Sequence, residues 1–254
     1  MPELKLALFS EFAPEKAKEL ATELKIPYFN QPEALSAYDL YLDLDKNGLK
    51  LKSKSPLKGE LMVDFLAPKL LRRLNHLSYK HELILQALGH HSQSLTIIDA
   101  TAGLGHDAAI FAARGHKVLM LERSKIVFAL LNDALLRLNA AAHPLAAHLK
   151  LLKADAHHYL AKVVPGSVDV IYLDPLFPER PKTALNQQNL RLLRMLTGDD
   201  LDAATLLPLA LQAAKRVIVK RAKDSPYLNQ QKPTLEYSAP RGSSRYDVYF
   251  SNKP

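Results

Sequence analysis

Three acidic residues stand where short apolar runs end: Asp99 after L-T-I-I, Glu122 after V-L-M-L and Asp174 after V-D-V-I-Y-L. Between the first two lies T-A-G-L-G-H-D, Thr101 to Asp107. Gly103 and Gly105 in that stretch let the backbone turn tightly and approach a ligand at a helix start. An acid at the position of Glu122 accepts hydrogen bonds from ribose hydroxyls in nucleotide-binding sheets. Asp155 follows a fourth apolar run and is read equally as an adenine contact or as the cap of the next helix. After Asp174 come Pro175, Leu176, Phe177 and Pro178. The two prolines stiffen this loop, so that a carboxylate and a ring can hold a flat polar substrate. Acids converging beside a glycine turn suit a cofactor that carries positive charge. A sulfonium centre fits better than a pyrophosphate, which Asp99 and Asp107 would repel.

Other chemistries are weaker or excluded. Gly103, Gly105 and Ala108 also satisfy the looser G-x-G-x-x-A dinucleotide fingerprint, so an NAD-dependent oxidoreductase is the main alternative. The chain has no cysteine, hence no disulfide, thiolate metal site or cysteine nucleophile. His90-His91 and His157-His158 are sequence neighbours, which do not face one site, and no H-E-x-x-H spacing occurs. No metal is expected. No nucleophile elbow or P-loop is present.

The elements that must position these residues follow from periodicity. Strands are expected at 95–98, 117–121, 149–153, 168–173 and 216–219, alternating with helices at 107–114, 125–139, 156–162, 185–196 and 202–214. Strand-like segments at 234–237 and 245–250 close the chain without a long helix between them. This predicts an α/β fold: a parallel sheet with helices on both faces and an antiparallel edge. The start reads differently, with a helix over 14–24 and a hairpin over 38–54 turning at Asn47-Gly48. A further strand is expected at 61–66, then a basic linker and a helix over 68–88. The expected organisation is a small α+β domain over 1–65, a linker and helix over 66–90, and the main domain over 91–254.

The chain has 254 residues, is 48% hydrophobic and carries a formal net charge of +8, which favours a polyanionic partner. Lys50, Lys52, Lys54 and Lys58 alternate with other residues, so their charges share one face. That face is either a phosphate track or a solvated edge strand guarded by lysines. Further basic clusters lie at Lys69, Arg72 and Arg73 and at Lys215, Arg216, Lys220, Arg221 and Lys223. No signal peptide or membrane-spanning run is expected, and a cytoplasmic location follows as an expectation.

D-A-T-A-G-L-G-H-D, M-L-E-R at Met120 to Arg123, Y-L-D-P-L-F-P at Tyr172 to Pro178 and V-K-R at Val219 to Arg221 recur in an order met elsewhere. With L-N-Q-Q-N-L-R and the closing S-R-Y-D-V-Y, they resemble the RsmJ-type small-subunit ribosomal RNA guanine-N2 methyltransferases. The resemblance implies a Rossmann-like class I fold that uses S-adenosylmethionine and releases S-adenosylhomocysteine. Its partner would be 16S ribosomal RNA or the small ribosomal subunit. It implies that His106, Asp107, Glu122, Arg123, Asp155, Ala156 and Asp174 hold the cofactor, beside Asp99, Gly103 and Gly105. Asp174, Pro175 and Phe177 would receive the guanine, and Lys220, Arg221, Arg72 and Arg73 would meet RNA. Two departures from the family pattern are His106, where arginine is usual, and Asn75 to Lys80, where a glycine-rich basic loop is usual. A non-catalytic RNA-binding assembly factor on the same fold is the second alternative.

Overall fold

The computed structural model describes residues 5–54, 59–175, 192, 196 and 202–251. The chain divides into two compact units. One comprises Met1–Asp64, Ser124–Ala141 and Glu179–Gly198, and the other Phe65–Arg123, Ala142–Pro178 and Asp199–Pro254.

The first unit holds a five-stranded sheet in the order β2-β1-β3-β4-β5. Its strands are β1 (Leu6–Phe9), β2 (Tyr28–Phe29), β3 (Leu40–Asp45), β4 (Gly48–Ser53) and β5 (Gly59–Leu61). The expected hairpin is β3–β4, paired antiparallel from Leu40↔Ser53 to Asp45↔Gly48. Sequence periodicity did not reveal β1, a four-residue strand that pairs in parallel with both β2 and β3. The strand expected at 61–66 is instead β5, which ends at Leu61. Helix α1 (Pro14–Leu24) forms where expected. Helix α5 (Lys125–Ala140), which follows the second strand of the larger sheet in sequence, belongs to this first unit. Its buried Asp133 accepts from Leu49 N at 3.0 Å and from Arg137 Nε at 2.9 Å. Gly48 has φ +124°, and a Cβ there would sit 2.6 Å from both Asp133 Oδ2 and Arg137 Nε.

The second unit contains a seven-stranded sheet, ordered β11-β12-β10-β9-β6-β7-β8. These are β6 (Thr96–Asp99), β7 (Lys117–Glu122), β8 (Leu149–Lys153), β9 (Val168–Leu173), β10 (Ala214–Ala222), β11 (Leu235–Ser238) and β12 (Ser244–Phe250). Strands β6 to β10 are parallel to one another, and β12 runs antiparallel between β10 and β11, as expected for the closing pair. The stretch over 68–88 holds two short helices, α2 (Pro68–Asn75) and α3 (Leu83–Leu88), where a linker and one helix were expected. Helices α4 (His106–Ala113), α6 (Ala156–Leu160) and α7 (Ala203–Ala213) complete the described framework.

Burial on both faces explains why β9 is apolar from Val170 onward. Ile171 and Leu173 join a buried cluster with Ala156 and Leu160 of α6 and Leu206, Leu207 and Ala210 of α7. Tyr172 points to the opposite face, where its ring meets Phe111 of α4 edge-on at 5.3 Å. Such an edge contact adds about 1 kcal/mol beyond burial. A strand covered on both faces cannot alternate polar and apolar residues, and beyond the half-buried Asp169 at its start β9 does not.

Candidate active site

The order of strands around β6 and β9 creates the site. From β6 the chain moves outward through β7 to β8, whereas from β9 it moves the other way to β10. The crevice at such a reversal, beyond the carboxyl ends of the strands, is where open α/β sheets bind ligands. Asp99 closes β6, Asp174 follows β9, Glu122 closes β7 and Lys220 lies near the end of β10.

The first loop is held by its own polar groups. Asp99 Oδ1 accepts from Thr101 N at 3.2 Å, and Thr101 Oγ1 accepts from Asp174 N at 2.6 Å. The two strand ends are thereby tied together. Gly103 and Gly105 have φ of 51° and 71°, in the left-handed region that glycine enters without strain. Gly105 N donates to Ala102 O at 2.8 Å, and α4 starts at the next residue. Asp107 sits in the first turn of α4, where the helix dipole favours negative charge.

A charge network spans this end of the sheet. Lys220 Nζ donates to Asp174 Oδ2 at 2.7 Å and to Asp107 Oδ2 at 2.9 Å. Tyr172 Oη donates to the same Asp107 oxygen at 2.6 Å. Burial alone would lower the Lys220 pKa, but the carboxylates of Asp174 and Asp107 outweigh it and hold the ammonium charged. Burial acts upward on Asp107, yet Lys220 and the Tyr172 hydroxyl bring its carboxyl below the usual range. Tyr246, opposite Lys220 on β12, is pushed up by burial and by Asp107. Asp99, 1% exposed, is pushed well up by burial and by Asp107. The floor of the site thus combines a carboxyl that resists ionisation with two carboxylates sharing one ammonium.

The remaining expected residues are placed as follows. Glu122 is buried at 7% exposure, and its carbonyl accepts from Ala154 N. Arg123 pairs with Asp202 at 3.2 Å. Asp155 caps α6, with Oδ1 accepting from His158 N at 3.1 Å, and Ala156 lies buried in the cluster behind it. His106 is exposed at the start of α4. Pro175 is buried, while Phe177 and the L-N-Q-Q-N-L-R motif lie outside the described residues. Arg72 is exposed on α2, and Arg73 is held bidentately by Glu82. Arg221 is 6% exposed, faces away from Lys220 by strand alternation and donates to Pro226 O. Sequence reasoning passed over Thr101 and Tyr172 as site residues. A tyrosine inside an otherwise aliphatic strand was the available signal, because a buried hydroxyl needs a partner.

The donor set fits a cationic, adenosine-bearing methyl donor. Glu122 stands at the strand end suited to ribose, the glycine turn permits close approach, and the acids favour positive charge. Asp107 at the helix start disfavours a pyrophosphate. Among the described residues, no group of three or more His, Asp or Glu is arranged to hold a metal, and no helix is long and apolar enough to cross a membrane.

Residues 26–251 match the family described as "Putative SAM-dependent methyltransferase". The ribosomal RNA small subunit methyltransferase J of Cellvibrio japonicus is 38% identical over 268 aligned positions, covering 100% of this chain and 99% of the relative. The protein of the same name from Marinobacter nauticus is 36% identical, covering 93% and 87%. A SAM-dependent methyltransferase from Neisseria gonorrhoeae, solved by crystallography, superposes with a TM-score of 0.75 at 29% identity, over 98% of this chain and 97% of that one.

Proposed function

The chain belongs to the ribosomal RNA small subunit methyltransferase J family, and from that membership we propose that it methylates the exocyclic N2 of a guanine in small-subunit ribosomal RNA. S-adenosylmethionine, when bound, supplies an electrophilic methyl group on a sulfonium. Glu122 would hold the ribose, with the Gly103–Gly105 turn, His106 and Asp107 beside it and Arg123, Asp155 and Ala156 towards the base. Asp107 and Asp174, two carboxylates sharing the one ammonium of Lys220, leave a net negative charge that makes the cleft favourable to the sulfonium.

The observation that carries the reading is the anchoring of Asp174 by Lys220 at 2.7 Å. An ammonium at that distance favours the ionised carboxyl and fixes where it sits. The N2 of guanine is a weak nucleophile, since its lone pair is delocalised into the ring. Asp174 accepts a hydrogen bond from N2–H, which aligns the amino group and stabilises the positive charge that develops as the carbon–nitrogen bond forms. With the bound methyl donor supplying the methyl and keeping the carbon–sulfur electron pair, the N2 proton would depart to solvent. Because Lys220 fixes the Asp174 carboxyl in place, Asp174 serves to orient the amino group. Orientation and preorganised charge are the larger sources of rate in such a step. Phe177 stacks on the base, and a paired guanine is flipped out to reach the site. Lys220 acts as a positioning residue through Asp174.

Asp174→Ala should reduce methyl transfer to small-subunit RNA by at least about 10²-fold while S-adenosylhomocysteine still binds. Mass mapping of the RNA should show N2-methylguanine as the wild-type product. Turnover at the wild-type rate in the variant, or a product methylated elsewhere, would overturn the assignment. Glu122→Ala should weaken S-adenosylhomocysteine in calorimetry by roughly tenfold or more, a loss of about 1.5 kcal/mol or more.

A further inference from the structure

The amino ends of the same parallel strands present the opposite charge. There the Tyr79 ring lies 4.9 Å from the His90 ring, and the Arg114 guanidinium lies 5.1 Å from the Tyr79 centroid. Beyond the adjoining His91, the Arg216 guanidinium is 5.0 Å from the Phe250 ring and 3.4 Å from His91 Nε2. Two cation–ring pairs are thus linked through the His90-His91 dipeptide. Both the Asn75–Lys80 loop and this histidine pair, which the methyl-transfer site leaves unused, meet here.

The acids do not match these cations. Asp169, at the start of β9, is taken by Lys215 at 2.9 Å and by Thr96 N and Oγ1. Among the described residues, no carboxylate pairs with Arg114, Arg216 or the exposed Lys117 at the start of β7. Half-buried Arg216 therefore keeps a guanidinium against a ring and an imidazole without a counter-charge. The imidazole of His116, 2% exposed, lies behind the surface. Its Nδ1 accepts from Leu95 N at 3.1 Å and its Nε2 has no partner among the described residues. Burial lowers its pKa, and the nearby His91 and Arg114 lower it further, as expected where positive groups crowd together.

Unmatched cations interleaved with flat rings are the chemistry that tracks a phosphate backbone and stacks exposed bases. We propose that this amino-end face is a second RNA-binding surface, in which Arg114, Lys117 and Arg216 take phosphates while Tyr79 and Phe250 stack bases of an unpaired segment. The proposal rests on the reading that the substrate is ribosomal RNA. Arg216 and Lys220 are four residues apart on β10, so about 13 Å of strand separates this face from the methyl-transfer end. A substrate held at both ends of the sheet would present its target guanine in a fixed register.

The test compares Arg114→Glu/Lys117→Glu with Lys46→Glu/Lys162→Glu, which makes the same charge change at exposed positions elsewhere. Binding to protein-free small-subunit RNA is measured across a potassium chloride series, together with melting temperature, S-adenosylhomocysteine binding and transfer at saturating RNA. The Arg114/Lys117 variant should lose roughly tenfold or more in RNA affinity, with the salt slope shallower by between about 1 and 2. Its melting, cofactor binding and saturated rate should match wild type. Tyr79→Leu should lose about fivefold or more in affinity with an unchanged slope, since stacking carries no counterion release. Equal losses in the Lys46/Lys162 control would reduce the effect to net charge and overturn the proposal. Unchanged affinity for naked RNA would overturn it too, including the case in which only assembled subunits bind less well, which would mark a protein contact. Wild-type protein that binds RNA here but methylates none would defeat the methyl-transfer reading and leave this surface standing.

Discussion

Strand β4 with the residue after it carries Lys50, Lys52 and Lys54, and β10 carries Lys215, Arg216, Lys220 and Arg221, so the two read alike as basic stretches. Their partners differ. Strand β4 is not an edge, because it lies between β3 and β5, and each lysine has a local partner. Lys50 reaches Asp45 and Glu60, and Lys52 reaches Asp43 and Glu60. Lys54 donates to Leu35 O. This corrects the expectation of a guarded edge strand and shows Lys50, Lys52 and Lys54 matched by local partners, while Lys58 lies outside the described residues. On β10, Lys215 has an ordinary surface partner, Asp169. Lys220 is spent on two carboxylates of the site, Arg221 is buried, and Arg216 pairs with no carboxylate among the described residues. The count of basic residues therefore says little about function; the functional signal is how many acids each cation shares, and where.

Removing the shared cation should give the largest effect. Lys220→Met leaves Asp107 and Asp174 facing each other without the ammonium between them. Transfer should fall by about 10²-fold or more, because Asp174 loses its fixed position. The partly exposed network should also cost about 2 kcal/mol of stability at pH 7, less than a fully buried pair. The pH dependence separates a positioning role from mere packing. The carboxyl of Asp107 is lowered in the folded wild type, so its contribution is present above the ordinary carboxylate pKa and fades as pH falls through the lowered one. In the variant the two carboxylates repel, and protonating one relieves them. The melting-temperature gap between variant and wild type should therefore narrow as pH falls from 7 to 4. A gap that stays constant would assign Lys220 to packing alone. Lys220→Arg should recover part of the turnover.

The comparison also marks what the sequence could and could not disclose. Asp99, Glu122 and Asp174 were legible because each terminates an apolar strand, and parallel strands bring their carboxyl ends to one edge. The glycine turn was legible because Gly103 and Gly105 stand before a helical period, and both have positive φ. Pairings across long separations were not legible: Lys220 meets Asp107 across 113 positions and Asp174 across 46. Nothing local in V-K-R distinguishes Lys220, which faces the site, from Arg221, which is buried, except strand register. Helix α5 shows the same limit. Its periodicity predicted a helix of nearly the right length, but only the bond from Leu49 N to Asp133 and its packing on β4 reveal which sheet it serves. Asp155 was legible as two alternatives, and its bond to His158 N realises the helix cap without removing it from the strand end.

The smallest expected effect lies on β4 and sharpens the contrast from the other side. Lys50→Gln removes one positive charge, as does a substitution at Arg114, but from a cation already matched by Asp45 and Glu60. Affinity for small-subunit RNA should change by less than about twofold, with no resolvable change in salt slope, because a matched lysine releases no counterion from RNA. The effect should appear in stability instead, at about 0.5 kcal/mol, since Asp45 is a third exposed and the pair is screened. Burial acts upward on the Asp45 carboxyl, but hydrogen bonds from Lys50 and from the Asn47 amide bring it net lower. A lowered carboxyl stabilises the fold above the ordinary carboxylate pKa and ceases to do so as pH falls through the lowered value. The difference in melting temperature between Lys50→Gln and wild type should accordingly be present at pH 7 and shrink as pH falls below the ordinary carboxylate range. A loss of RNA affinity equal to that of the Arg114/Lys117 variant would show instead that matched and unmatched cations bind alike, and would remove the basis for distinguishing β4 from β10.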